Sequence, residues 1–218
     1  MLVLALDAST YAGSVALIRD EAVVAQSVVA MRGEREERLM PAIAAVLSGH
    51  SVPVDRLDAV ACGAGPGSFT SLRIAASIAK GLCAARDIPL LVAPSTILAV
   101  PAADPPLPPG RYVVALDAMR GDFFFQDVDI DSRGVLRPGD SGRTTRGTLE
   151  QHASSRAARI IGPAESPPLV PHARAFAQLI SLGIARPVEM TTWEPDYGRK
   201  AEAQVRWEAV HGRELGGD

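Results

Sequence analysis

Gly63-Ala64-Gly65-Pro66-Gly67-Ser68-Phe69-Thr70-Ser71-Leu72-Arg73 decides how this chain is read. An apolar run, Ala59–Ala64, leads into it, and an alanine-rich helical pattern follows. A strand that breaks at Gly-Pro-Gly and then opens a helix is the joint of an α/β fold. Such a turn aims backbone N–H groups at one spot and suits a phosphate or another anion. It equally suits the close approach of a neighbouring backbone, because glycine carries no Cβ. Phosphate cradle and structural turn are the two uses between which the rest of the chain has to choose.

Upstream, three β-type runs follow one another: Leu2 to Ala8, Gly13 to Ile18 and Glu21 to Ala30, with Arg19-Asp20 as a turn. This spacing predicts an antiparallel meander. Leu39, Met40, Ile43, Val46 and Leu47 then recur at helical spacing, so Glu34 to Ser48 reads as a helix that Gly49 stops. Pro41 requires that helix to begin near Glu37 or Arg38. Downstream of the glycine turn, Ser71 to Arg86 is a second helix, with Ser68 or Thr70 as its N-cap. A strand at Leu90–Ala93 and a short helix from Ser95 to Val100 complete the first half.

Residues 101–110 hold five prolines, which exclude helix and central strand and mark a stiff linker. The expected division is therefore residues 1–100, a linker at 101–110, and a smaller second unit at 111–218. That unit restarts with strands at Tyr112–Asp117 and Phe123–Ile130. A strand at Ala158–Ile161, a helix at His172–Ser181 and a charged helical tail at Lys200–Glu214 follow. Asp131 to Arg156 carries little signal. Leu6-Asp7-Ala8 and Leu116-Asp117-Ala118 end the first strand of each half in the same way. Two halves that begin alike suggest a duplicated actin-like fold, although two similar strand ends also arise by coincidence.

Composition narrows the function. The chain has 218 residues, 47% hydrophobic and 22% charged, with a formal net charge of −3. That balance suits a globular protein and argues against unaided grip on nucleic acid, which needs a basic surface. Cys62 and Cys83 stand in apolar surroundings outside any CxxC pair and read as buried thiols of a reducing compartment. The opening residues lack a basic leader, and no apolar run approaches the ~20 residues of a membrane span. A cytoplasmic location is the expectation.

Asp7, Ser9 and Thr10 follow the first strand. Together with Gly65, Gly67 and Ser68 they would suit a metal–nucleotide complex, which makes a small actin-like ATPase or kinase the alternative function. The same residues also suit a turn bonded to its own backbone. The glycine loop is neither a Walker A motif nor GxGxxG. His50, His152, His172 and His211 are scattered, so no metal site is expected. The mixed charges of Arg32–Arg38 mark a solvated helix entrance or the rim of a partner surface. Trp193, Tyr197 and Trp207 read as anchors of a returning tail. A nucleic-acid platform aided by Arg199, Lys200 and Arg206 is the lesser reading.

Taken in order, Leu4-Ala5-Leu6-Asp7-Ala8-Ser9-Thr10, Glu37-Arg38-Leu39-Met40-Pro41, Gly65 to Arg73, Ala79-Lys80-Gly81-Leu82 and Asp117-Ala118-Met119-Arg120-Gly121 resemble the signature blocks of one family. It is the TsaB family, formerly YeaZ, of tRNA threonylcarbamoyladenosine biosynthesis proteins. The resemblance implies an α/β, actin-like (ASKHA, ribonuclease H-like) duplicated fold of two subdomains, each a mixed sheet flanked by helices. It implies a non-catalytic subunit that binds the catalytic paralogue TsaD together with the ATPase TsaE, in modifying tRNAs that read codons beginning with A. It further implies a homodimer when the partner is absent. No cofactor is expected on this chain, with ATP or ADP and a metal on the partners. The docking face would lie on the two helices, at Arg35, Arg38, Leu39, Ala42, Ile43, Val46, Arg73, Ala76, Ser77, Lys80 and Ala84. Three positions depart from the family pattern: Arg35-Glu36 in place of His-Ser, Ser71 in place of glycine, and Met119 in place of arginine.

Overall fold

The computed structural model describes residues 1–31, 37–198, 207 and 210–212. The chain opens with the expected antiparallel meander of β1 (Leu2–Asp7), β2 (Ala12–Arg19) and β3 (Ala22–Ala30). β1 and β2 are covered on both faces, which is why they read as continuous apolar runs. Val3 and Ala5 enter one core, and Leu4 and Leu6 the other. β3 begins at Ala22 instead of Glu21, because Asp20 and Glu21 take left-handed φ values of 48° and 68° in the turn.

α1 (Leu39–Gly49) starts where Pro41 demands, with its proline in the first turn. The Glu37 carboxylate accepts the amides of Leu39 and Met40 and so serves as its cap. Glu34 to Glu36 lie outside the described residues. After β4 (Ala59–Gly63), α2 (Phe69–Arg86) begins two residues earlier than expected. Ser68 sits at its N-cap position but makes no capping bond; its hydroxyl lies 3.0 Å from the Ser71 hydroxyl. β5 (Leu90–Ala93) and the short α3 (Ser95–Leu98) follow.

The Pro-rich stretch is packed as well as stiff: Ala102 and Ala103 are buried, and the Tyr112 hydroxyl donates to the Pro108 carbonyl at 2.7 Å. The second half runs β6 (Gly110–Met119), β7 (Asp122–Ile130), β8 (Leu136–Thr145), α4 (Arg146–Ser155) and β9 (Arg159–Ile161). β8 and α4 arise from the stretch with little signal. β8 is an edge strand exposed over most of its length, so it carries polar residues, a proline and two glycines in place of a buried pattern. The expected helix at His172–Ser181 divides into a 3-10 turn, Ala173–Ala175, and α5 (Phe176–Ser181). The tail expected to be helical from Lys200 to Glu214 lies mostly outside the described residues.

The strand orders are β10-β5-β4-β1-β2-β3 and β8-β7-β6-β9, with β10 at Arg186–Val188. Counted from its own first strand, each half runs third, second, first, fourth. This is the ribonuclease H-like order used twice, and it makes the echo of Asp7 and Asp117 a true duplication. The repeat is incomplete. β10 leaves the second sheet and pairs antiparallel with β5, so residues 111–218 contribute to both sheets.

Three cores result. Leu39, Ile43, Val46, Ala75 and Ala79 of α1 and α2 cover the outer face of the first sheet. Ile97, Phe176 and Leu179 pack between its inner face and Val114, Leu116 and Phe124 of the second. Leu149 and Ala153 of α4 close the far side. Cys62 and Cys83 are free and buried, and burial pushes both thiols up.

Candidate functional site

β1 and β6 end at the same cleft, of about 510 Å³, between the two sheets. Ser9, Thr10 and Tyr11 border it on one side, Leu116, Asp117 and Ala118 on the other, and the start of α2 at Gly67–Ser71 forms its back. The structure places Asp7, Ser9, Thr10, Gly65, Gly67 and Ser68 close together at the end of β1. Only four of them reach the cleft: Ser9, Thr10, Gly67 and Ser68.

Asp7 is fully buried. One carboxylate oxygen accepts the Ser9 hydroxyl at 2.8 Å and the Ser9 amide at 3.2 Å. The other accepts the Ser95 hydroxyl at 2.7 Å. Gly63 presses on it from behind, where any Cβ would overlap the carboxylate. Burial raises the Asp7 pKa above the ordinary carboxylate value, against the lowering pull of the Ser95 and Ser9 hydrogen bonds. Thr10 is similarly engaged, its hydroxyl bonding both the amide and the carbonyl of Ala12.

The glycine loop is closely packed. The Gly65 amide donates to Ser95 Oγ at 3.0 Å, and the Gly65 carbonyl accepts the Ser95 amide at 2.8 Å. Gly65 takes a φ of 85°, and a Cβ there would overlap the Asp196 carbonyl. A Cβ on Gly67 would overlap the Ser9 carbonyl, which accepts the Ser68 amide at 2.8 Å. Ser95 therefore joins Asp7 to the loop, and sequence reading passed over it. Its only signal is a small hydroxyl at the start of a short helix. Ser71, which replaces the family glycine, is buried with its hydroxyl against Ser68.

The expected docking residues divide by burial. Leu39, Ala42, Ile43, Val46 and Ala76 are buried within this chain. Arg38, Arg73, Ser77 and Ala84 are exposed and Lys80 is half-buried; Arg35 lies outside the described residues. The apolar period that marks a helix identifies the face turned to its own sheet, so those positions were the wrong ones to present outward. Among the described residues no cluster of three or more His, Cys, Asp or Glu side chains could hold a metal ion, and no helix is long and apolar enough to cross a membrane.

A family model described as "TsaD: tRNA N6-adenosine threonylcarbamoyltransferase" matches residues 30–134. The chain is 31% identical over 135 residues to the tRNA threonylcarbamoyladenosine biosynthesis protein TsaB of Escherichia coli, a match covering 62% of this chain and 58% of that protein. It is 34% identical over 128 residues to TsaB of Haemophilus influenzae, covering 59% of this chain and 54% of that protein. The chain thus spans little more than half the length of the curated relatives it matches. YeaZ from Pseudomonas aeruginosa superposes with a TM-score of 0.74 at 25% identity, covering 90% of this chain and 99% of that one. A structure described as an uncharacterised protein with similarity to peptidase YEAZ, also from Pseudomonas aeruginosa, gives 0.77 at 25% identity, covering 91% and 99%. The chain is thus similar to TsaB proteins in sequence and to YeaZ in structure, in agreement with the resemblance carried by its motifs.

Proposed function

We propose that this chain is a non-catalytic activating subunit for N6-threonylcarbamoyladenosine formation in tRNAs that read codons beginning with A. The similarity to TsaB carries the reading. The site supports it: both Asp7 oxygens and the amides of Gly65 and Ser68 are engaged by the protein itself. The partner would be the transferase paralogue TsaD, joined by the ATPase TsaE. Nucleotide and metal would be held on those subunits, and tRNA would be substrate of the whole complex.

The docking face would be the outward side of α1 and α2, at Arg38, Arg73, Ser77, Lys80 and Ala84. The buried Leu39, Ala42, Ile43, Val46 and Ala76 support that face from beneath. Docking favours an active conformation of the partner, so the rate rises by population shift and without chemistry on this chain. A second copy would use the same face when the partner is absent.

Reconstitution tests this reading. TsaD, TsaE, threonylcarbamoyl-adenylate synthase, ATP, threonine, bicarbonate and unmodified tRNA are combined with and without this chain, and the digested tRNA is read by mass spectrometry. The expected result is modification that requires the chain and survives Asp7→Asn. Loss of activity in a folded, partner-binding Asp7→Asn would transfer the reading to a nucleotide-using enzyme. Modification indifferent to the chain would overturn the assignment.

A further inference from the structure

After β10 the chain turns back and runs along α2. The Trp193 amide donates to the Glu189 carbonyl at 2.9 Å, and the half-buried indole packs against the edge of the core that contains α1 and α2 residues. Pro195 is buried. The Asp196 amide donates to the Ala64 carbonyl at 2.8 Å. Gly198 lies so close to Phe124 that a Cβ would overlap its ring. The β10 pairing upstream and the Asp196–Ala64 bond downstream therefore bracket this segment.

Its side chains meet two cations of α2. The Arg73 guanidinium lies 4.4 Å over the Phe69 ring and 5.8 Å from the Tyr197 ring, and the two rings are 4.5 Å apart. Two helical turns on, Lys80 Nζ lies 3.0 Å from Glu194 Oε1 and 5.7 Å over the Trp193 ring. Tryptophan, tyrosine and a carboxylate on a pair of cations are what one protein presents to another. Arg73 and Lys80 are residues of the docking face proposed above.

We propose that Trp193–Tyr197 is an intramolecular occupant of the docking face, and that the partner displaces its side chains from Arg73 and Lys80. The inference rests on the docking reading given above. The contacts suit exchange. Glu194 is 68% exposed, so its pair with Lys80 is screened and weak. Rings over surface cations contribute modestly too. The occupant also fixes the partner's chemistry, an acidic patch with aromatic side chains that replaces these contacts in kind. Because only the open state accepts the partner, the covered state lowers the apparent affinity by the open fraction.

The experiment measures binding of the full chain to the transferase paralogue by calorimetry. Glu194→Gln should bind about two- to fivefold tighter, the loss of one weak surface pair, and Trp193→Phe, whose smaller ring holds Lys80 less well, should bind at least as tightly as the wild type. In a Trp207→Phe chain labelled with 5-fluorotryptophan, the fluorine signal of Trp193 should move towards that of a solvated indole when unlabelled partner is added. Weaker or unchanged binding by Glu194→Gln, or a Trp193 signal that becomes more buried, would overturn displacement and make the segment part of the docking surface. Absence of binding by wild type and Glu194→Gln alike would overturn the docking reading together with this one. Wild-type binding that Ser77→Arg abolishes, but Glu194→Gln does not improve, would overturn displacement alone.

Discussion

Ser95 shows how much one hydroxyl can join. It donates to Asp7 on β1 and accepts from Gly65 in the loop before α2, and it is fully buried. Ser95→Ala would leave a buried amide unpaired and a buried carboxylate with one partner fewer. The expected cost is about 2 kcal/mol, measured as a lower urea midpoint at unchanged slope. His172 is the second telling residue. Its Nδ1 accepts the Arg174 amide at 3.0 Å, a bond that needs the unprotonated nitrogen. Burial, aided by the Arg174 charge, lowers its pKa from 6.5 to about 4. Between those values the folded chain binds fewer protons there than the unfolded chain. This contribution to stability is therefore full above about pH 6.5 and is lost as pH falls towards about 4. His172→Asn keeps an acceptor for the Arg174 amide and removes the titration. The fall in melting temperature between pH 7 and pH 5 should be smaller in this variant than in the wild type, and an equal fall would refute the assignment.

At the scale of elements, α2 has a buried face and an exposed face, the latter part of the proposed docking surface. Leu72, Ala75, Ala76, Ala79 and Cys83 are buried, whereas Arg73, Ser77 and Ala84 are exposed. The same charge placed on each face should separate folding from docking. Ala76→Arg is expected to destabilise the chain by about 3 kcal/mol, since it buries an unpaired charge. Ser77→Arg should leave the melting temperature within about 2 °C and weaken partner binding at least tenfold, because surface substitutions rarely alter stability by more than about 0.5 kcal/mol. Equal binding by Ser77→Arg would remove α2 from the docking face. The helix was legible because its apolar period is long and its glycine turn distinctive. Of the two N-cap positions the sequence offers, Ser68 is the one used, so the helix starts at Phe69, although the Ser68 hydroxyl lies against Ser71 and makes no capping bond. β8 and α4 were illegible for another reason. An exposed edge strand has no buried face to impose alternation, and α4 buries only Leu149 and Ala153.

At the scale of the molecule, the chain is one strand order used twice and then broken by β10, which returns to the first sheet. The return matters because it delivers Glu189–Gly198 to α2 and to the glycine loop, the most distinctive motif of the chain. A three-residue strand with arginine and proline in it has no periodic signal, so neither β10 nor its pairing with β5 could be read in advance. By itself the sequence determined the meander, the two long helices, the α/β class and the family resemblance. Each rests on local information: apolar period, proline and glycine placement, or a contiguous motif. Only the tertiary structure shows what packs against the motif. Whether Gly65 and Gly67 face a phosphate or a neighbouring backbone depends on what packs against them, and Asp196 and Ser9 occupy those places. The same holds for Asp7, whose type suits a metal or a buried hydrogen-bond hub. Full burial against Ser9, Ser95 and Gly63 makes it the hub.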